Sequence, residues 1–310
     1  MHKRVQVVRY PGNDFSWRDA FFGDGSVPLS PPVASRFRSR PNGSAGVNAS
    51  THLSPGAKYD STWHVRHRER NSYSAQRIID LLMPMLGIRS VVDFGCGDGV
   101  WLRTFERRGV SRIMGYDGPW NDVGQLQIDR ACYRSVDFTH PVPAPEEFDL
   151  ALCLEVAEHL PPGSAGTLVH SITEHAPVVL FGAAIPRQGG YRHMNERWQS
   201  FWSARFQEQG YVRFDFIRSQ IWEDPGIYFW YKQNVAIFVR GSRTETIASL
   251  RATTEAQKLA PMPLDVVHPD LFQAISNYDQ IAFRPLLRRI LPAIISKLQQ
   301  VAGERLRSGR

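Results

Sequence analysis

The segment VVDFGCGDG (91–99) has the residue types and spacing most able to do chemistry. An apolar run ends in Gly95, Gly97 and Gly99, with Asp93 two residues ahead of the first glycine. A glycine turn between a strand and a helix lets a ligand approach the backbone and offers N–H groups to a carboxylate or phosphate. The spacing is not G-x-G-x-x-G, so the dinucleotide fingerprint is missing, and no G-x-x-x-x-G-K-[ST] occurs, which excludes the triphosphate-binding loop. A second apolar run, RIMGYD (112–117), ends in another acid, Asp117, 24 residues after Asp93. Further along, His159 stands beside Glu158, and His193 stands near Asn195 and Glu196. Imidazole is the side chain best matched to moving a proton near neutral pH.

These groups need a scaffold, and the hydrophobic pattern supplies one. Short apolar runs at 90–94, 112–117, 132–138, 148–156, 177–184, 211–216 and 234–239 read as strands. Between them lie helical patterns over 72–86, 100–108, 163–175 and 198–210, the first ending at Gly87 as a C-cap. Alternation of this kind, with strands apolar on both faces, predicts an α/β fold built on a doubly wound sheet. In such a sheet the glycine turn falls at the carboxyl edge, where ligands bind.

The flanks differ from this middle. Residues 23–57 are dense in Gly, Pro and Ser, and 1–56 read as a flexible arm. Residues 57–245 form the sheet domain, and 246–310 a helical extension. Within it, 285–307 is amphipathic and basic, with Pro292 as a kink. Such a helix packs on its own domain or on a second subunit of a homodimer, or rests on an anionic membrane surface. The formal charge is +7 over 310 residues, yet residues 1–56 hold seven basic and three acidic residues and 262–310 hold seven and four. The remaining 23 basic and 23 acidic residues cancel, so the middle has no global pull on nucleic acid. No apolar run of spanning length and no secretory pattern occur. The three cysteines, Cys96, Cys132 and Cys153, form no CxxC pair, and a reducing cytoplasmic setting is the default expectation.

The glycine turn with its acids resembles motif I of the class I S-adenosylmethionine (SAM)-dependent methyltransferases. That resemblance covers roughly 75–240 and implies a Rossmann-like seven-stranded sheet with SAM as cofactor. It assigns Asp93, Gly95, Gly97 and Gly99 to the cofactor turn and Asp117 to the ribose hydroxyls, a vicinal diol well matched by two carboxylate oxygens. It places Asp137 on the adenine amino group and Phe138 against the adenine ring. FDLALCLEVAEHL (148–160) is similar to motif IV of the small-molecule branch, which makes Glu155 a contact to SAM or to the acceptor. FGAAIPRQGGYRHMNERWQSFW (181–202) looks like a bacterial subgroup found with glycan and secondary-metabolite biosynthesis, although Arg187 and Arg197 depart from its usual form.

Read this way, the chain methylates a hydroxyl of a small acceptor. Such an acceptor must lose its proton, and His193, in the loop after the fifth strand, is the first choice as base, with His159 second. Gln188, Asn195, Glu196, Trp222 and Tyr231 are candidates for holding the acceptor. Asp149, Glu155, Glu158 and His159 are close in sequence, but strand alternation is expected to scatter them, so no metal is expected. A nitrogen or carbon acceptor, or a silent scaffold of the same fold, are the alternative readings.

Overall fold

A computed structural model describes residues 61–259 and 262–276, with the backbone alone over 61–67. The arm over 1–56 and the amphipathic segment over 285–307 lie outside the described residues. Seven strands form one sheet: β1 (Ser90–Phe94), β2 (Arg112–Asp117), β3 (Tyr133–Ser135), β4 (Leu150–Leu154), β5 (Val178–Gly182), β6 (Tyr211–Phe214) and β7 (Ala236–Arg240). Their order is β3-β2-β1-β4-β5-β7-β6. The first five in that order are parallel, and β7 runs antiparallel to both β5 and β6. The order reverses between β1 and β4, which opens a crevice at their carboxyl ends.

Period-two alternation divides the apolar side chains into two layers. Val91, Leu152 and Leu180 enter one, while Val92, Phe94, Cys153 and Phe181 enter the other. Helices α1 (Ser61–Leu82) and α2 (Val100–Glu106) cover the first through Ile78, Ile79, Leu82 and Phe105. Helices α3 (Ala165–His175) and α4 (Gln199–Glu208) cover the second through Ile172, Trp202 and Phe206. Each such side chain contributes about 1.5–3 kcal/mol on burial. The sheet is therefore doubly wound, as the strand and helix pattern predicts.

Local boundaries shift for identifiable reasons. Helix α1 stops at Leu82, because Pro84 disfavours helical backbone at the residue before it; Gly87 sits in the connection and not at the cap. Two short helices, α5 (Ile217–Ile221) and α6 (Phe229–Asn234), occupy a stretch with no visible period, so Asn234 ends a helix and β7 begins at Ala236. Arg218 of α5 is fully buried, paired with Asp215 and donating to the carbonyls of Gln233 and Pro263. A further helix, α7 (Thr244–Ala256), buries Ile247 and Leu250. The chain divides into two compact units between Val266 and Val267, the second containing α8 (Pro269–Ser276). Among the described residues no helix is long and apolar enough to cross a membrane.

Candidate active site

The turn after β1 requires its glycines. Gly95, Gly97 and Gly99 have φ of 88°, 55° and 79°, a region that side chains with a Cβ rarely adopt. A Cβ on Gly95 would also overlap Val156, so the turn lies directly against the segment that follows β4. Asp117, at the end of β2, reaches across it. One carboxylate oxygen accepts the Gly97 N–H at 2.7 Å and the other the Gly118 N–H at 2.6 Å. Each oxygen keeps a lone pair, the inventory needed to accept two hydroxyls.

Asp93 stands beside this group on β1, 4% exposed. Burial, and then the neighbouring Asp117 charge, push its carboxyl up to about 7. Burial also raises Asp117 to about 6, against the pull of the two N–H donors. Two acids short of water and of positive charge favour a ligand that brings hydroxyls and a cation. A ligand of that kind binds better once both acids are ionised. Its dissociation constant should fall about tenfold or more as pH rises from about 5.5 to about 7.5 and then level off. Without ligand the sign is opposite. The folded chain holds these protons to higher pH than the unfolded one, so stability is lost as pH rises from about 4 to about 7. Calorimetric titrations across that range check the first expectation, and melting temperatures check the second.

The remaining cofactor candidates are placed differently. Phe138 is buried against Phe94, ring centroids 5.8 Å apart, so its ring belongs to the core and not to an open adenine face. Asp137 is exposed, and its carboxylate is taken up by its own turn, accepting from the Thr139 N–H and hydroxyl and meeting His140. Sequence reasoning missed the loop after β2. There Asn121 donates to the Gly97 carbonyl at 2.7 Å, and the 64%-exposed Trp120 lies over Gly118, next to Asp117. A tryptophan three residues after a strand-end acid is the available signal. It missed Asp98 too, which accepts from Arg68, Gln127 and the Val100 N–H and so braces the turn.

The second half of the site lies at the ends of β4 and β5. Glu155 leaves β4 with φ 56°, strain of about 1–3 kcal/mol for a non-glycine residue. Its oxygens accept from Asn234 and Gln188, each at 2.8 Å. Gln188 is fully engaged within the protein: besides donating to Glu155, its own oxygen accepts from Gln233 and Asn234. The Gln188 and Gly189 N–H groups are also committed, to Ile185 and Glu196. Gln188 therefore positions Glu155 and does not reach an acceptor. Asn195 is likewise internal, its backbone donating to Glu158 and its amide to Ala157.

Loop 185–197 is folded back so that His193 meets His159 edge-on, ring centroids 4.8 Å apart. Nδ1 of His193 lies 3.0 Å from Glu196, which also accepts the Arg187 and Gly189 N–H groups. Burial alone would raise the Glu196 carboxyl, but His193 and the two N–H donors hold it below its ordinary value. An ionised Glu196 fixes the proton of His193 on Nδ1 and leaves Nε2 with its lone pair. Gly190 makes room for the ring, since any Cβ there would overlap it. Burial and the neighbouring His193 lower His159 to about 4, so it stays neutral.

Glu158 sits on the 3-10 turn Ala157–His159, completely buried, with neither carboxylate oxygen in a hydrogen bond of good geometry. Glu158, His159 and His193 bring their side-chain donor atoms within 4.8 Å of one another. This corrects the expectation of scatter: Glu158 and His159 lie beyond the strand, where alternation no longer acts. Asp149 is the one set apart, bound to Arg89 and Ser90 at the amino edge. Tyr231 is buried against Trp101, 5.3 Å between rings, and burial raises its hydroxyl well above the ordinary value. It is a core residue, and Trp222 is half-buried at the end of α5. A surface hollow lined by Met85, Gly87, Asp149 and Arg243 lies at the amino edge, away from the glycine turn and the histidines.

A glycine turn, an acid at the next strand end and a pair of histidines are thus brought together on a 3-2-1-4-5-7-6 sheet. A family model described as "Methyltransferase domain" matches residues 65–219, half of the chain, and the chain belongs to that family. The ubiquinone biosynthesis O-methyltransferase of Neisseria meningitidis serogroup C (strain 053442) is 24% identical over 119 residues, 34% of this chain and 48% of that protein. The match thus spans about half the length of that curated relative. Among solved structures, human N-acetylserotonin methyltransferase in complex with SAM is 18% identical, with a TM-score of 0.40 over 60% of this chain and 61% of that one. The magnesium protoporphyrin IX methyltransferase of Synechocystis PCC 6803 with bound SAM is 14% identical, with a TM-score of 0.43 over 62% of this chain and all of the other. The chain thus carries a methyltransferase domain, a class whose cofactor is SAM. The glycine turn without Cβ atoms and the two cation-seeking acids fit that cofactor.

Proposed function

We propose that the chain transfers a methyl group to a hydroxyl oxygen of a small acceptor: a glycan, a sugar or a natural product. The observation that carries this reading is the His193–Glu196 pair, held 3.0 Å apart and backed by His159, at the end of the sheet where the glycine turn lies. SAM, when bound, supplies a methyl carbon made electrophilic by its sulfonium. Asp117 holds the ribose hydroxyls, Asp93 favours the cationic end, and Trp120 offers a ring face to the adenine. Loss of that face in Trp120→Ala should weaken SAM binding by about 1–3 kcal/mol, the worth of one base–aromatic stack. Equal affinities by calorimetry would remove Trp120 from the cofactor site.

Holding the acceptor oxygen in line with the methyl carbon supplies most of the acceleration. His193 Nε2 accepts the hydroxyl proton, and Glu196 stabilises the imidazolium that results. The oxygen pair then forms the new bond to carbon, and the pair of the broken bond stays on sulfur. The neutral balance of charge over 57–261 favours a small acceptor over a nucleic acid. Deuterium-labelled methyl-SAM, incubated with hydroxyl, amine and activated-carbon acceptors of matched size, tests this by mass spectrometry. Label on oxygen is the expected result; label on nitrogen or carbon alone overturns it.

A further inference from the structure

We propose that one water molecule is bound between α4 and β6, on Gln199, Trp202, Ser203 and Arg213, and that it helps to hold Glu155 in place at the end of β4. These four residues line one cavity of about 10 Å³, walled otherwise by Asn234 and by apolar side chains that include Phe181 and Phe238. That is the room a single water needs. Each of the four carries a buried polar atom without a hydrogen-bond partner among the described residues: Gln199 Oε1, Trp202 Nε1, Ser203 Oγ and Arg213 Nε. Four of the eight such atoms in the described residues therefore belong to the wall of this one cavity. Each buried donor or acceptor left unmatched costs about 1–3 kcal/mol, so their gathering at one place marks a site.

The inventory of donors and acceptors selects water. Gln199 cannot turn its amide round, because Nε2 already donates to the Gln233 and Val266 carbonyls, so Oε1 faces the site as an acceptor. Indole and guanidinium nitrogens only donate, and a hydroxyl does either. A water that accepts from Trp202 and Arg213 and donates to Gln199 and Ser203 uses both lone pairs and both hydrogens. A halide would meet the Gln199 oxygen, and a metal ion would meet two N–H groups, one of them on a cation.

The water stands at the head of a chain of amides. Gln199 donates to the Gln233 backbone, the Gln233 side chain donates to Gln188 at 3.1 Å, and Gln188 donates to Glu155 at 2.8 Å. Asn234, in the cavity wall, donates to the other Glu155 oxygen. Hydrogen bonds in series within a low dielectric orient and strengthen one another. Glu155 keeps its φ of 56° only because its surroundings impose it, and the water is part of those surroundings. Gln199, Gln233 and Asn234 act as positioning residues. The inference goes beyond the proposed function and needs no acceptor, so its failure and that of the functional reading are separate.

A high-resolution crystal structure of the full chain should show one water oxygen within roughly 2.7–3.2 Å of all four atoms. Anomalous signal at that place after a bromide soak, or a cavity closed by direct bonds among the four side chains, overturns the site. Ser203→Val puts a methyl group into the cavity and should displace the water, whereas Ser203→Ala should leave it with three partners. The link to Glu155 is read from the side-chain amide NMR signals of Gln188 and Asn234 in isotope-labelled protein. They should shift in Ser203→Val and stay in place in Ser203→Ala. Unmoved signals in a Ser203→Val protein that has lost the water overturn the positioning role. Should Ser203→Val not fold, Ser203→Cys makes the same comparison with a larger, weakly bonding atom.

Discussion

Asp117→Ala should raise the dissociation constant for SAM at least 100-fold at neutral pH while the fold persists. The side chain ends β2 and offers one free lone pair on each oxygen beside its bonds to Gly97 and Gly118. Two hydrogen bonds from a diol to a carboxylate are worth about 1.5–3 kcal/mol each. Their joint loss corresponds to a change of two orders of magnitude or more. The substitution also frees the Gly97 N–H, so the turn loses an internal tether. Asp117→Asn keeps the shape and one acceptor oxygen and should fall between. An unchanged constant in Asp117→Ala, by calorimetry, would detach the cofactor from this strand end.

Removing the His193 imidazole should have the largest effect on the chemistry. His193→Ala is expected to lower turnover about 10²–10⁴-fold, with SAM affinity unchanged. The ring lies beyond the glycine turn, in the loop after β5, and Glu196 orients it. His159 cannot replace it as a base. Burial holds that ring near 4, too weak to take a hydroxyl proton at neutral pH. More than a tenth of wild-type turnover in His193→Ala would place the reacting oxygen elsewhere.

Much of this architecture is legible in the sequence because the strands are buried on both faces. SVVDF and RIMGYD match β1 and β2 residue for residue, since continuous apolar runs stopped by glycine or acid leave little choice. The glycine turn is legible too, because three glycines at that spacing serve little purpose except backbone at positive φ. What escapes is tertiary. Phe138 after a strand can face ligand or core with equal ease, and only the neighbouring Phe94 decides. Gln188 looks like a ligand contact until Gln233 and Asn234, 45 and 46 residues on, are seen to hold it. The grouping of Glu158, His159 and His193 depends on a loop folding back over β4, which no local period announces.

The decisive measurement is a crystal structure of the complex with S-adenosylhomocysteine. The ribose hydroxyls are expected on Asp117, the amino-acid end against Asp93 and the glycine turn, and the sulfur facing His159 and His193. A ligand seated at the amino-edge hollow beside Gly87 and Arg243, or bound at the turn with its sulfur directed away from His193, would contradict this placement.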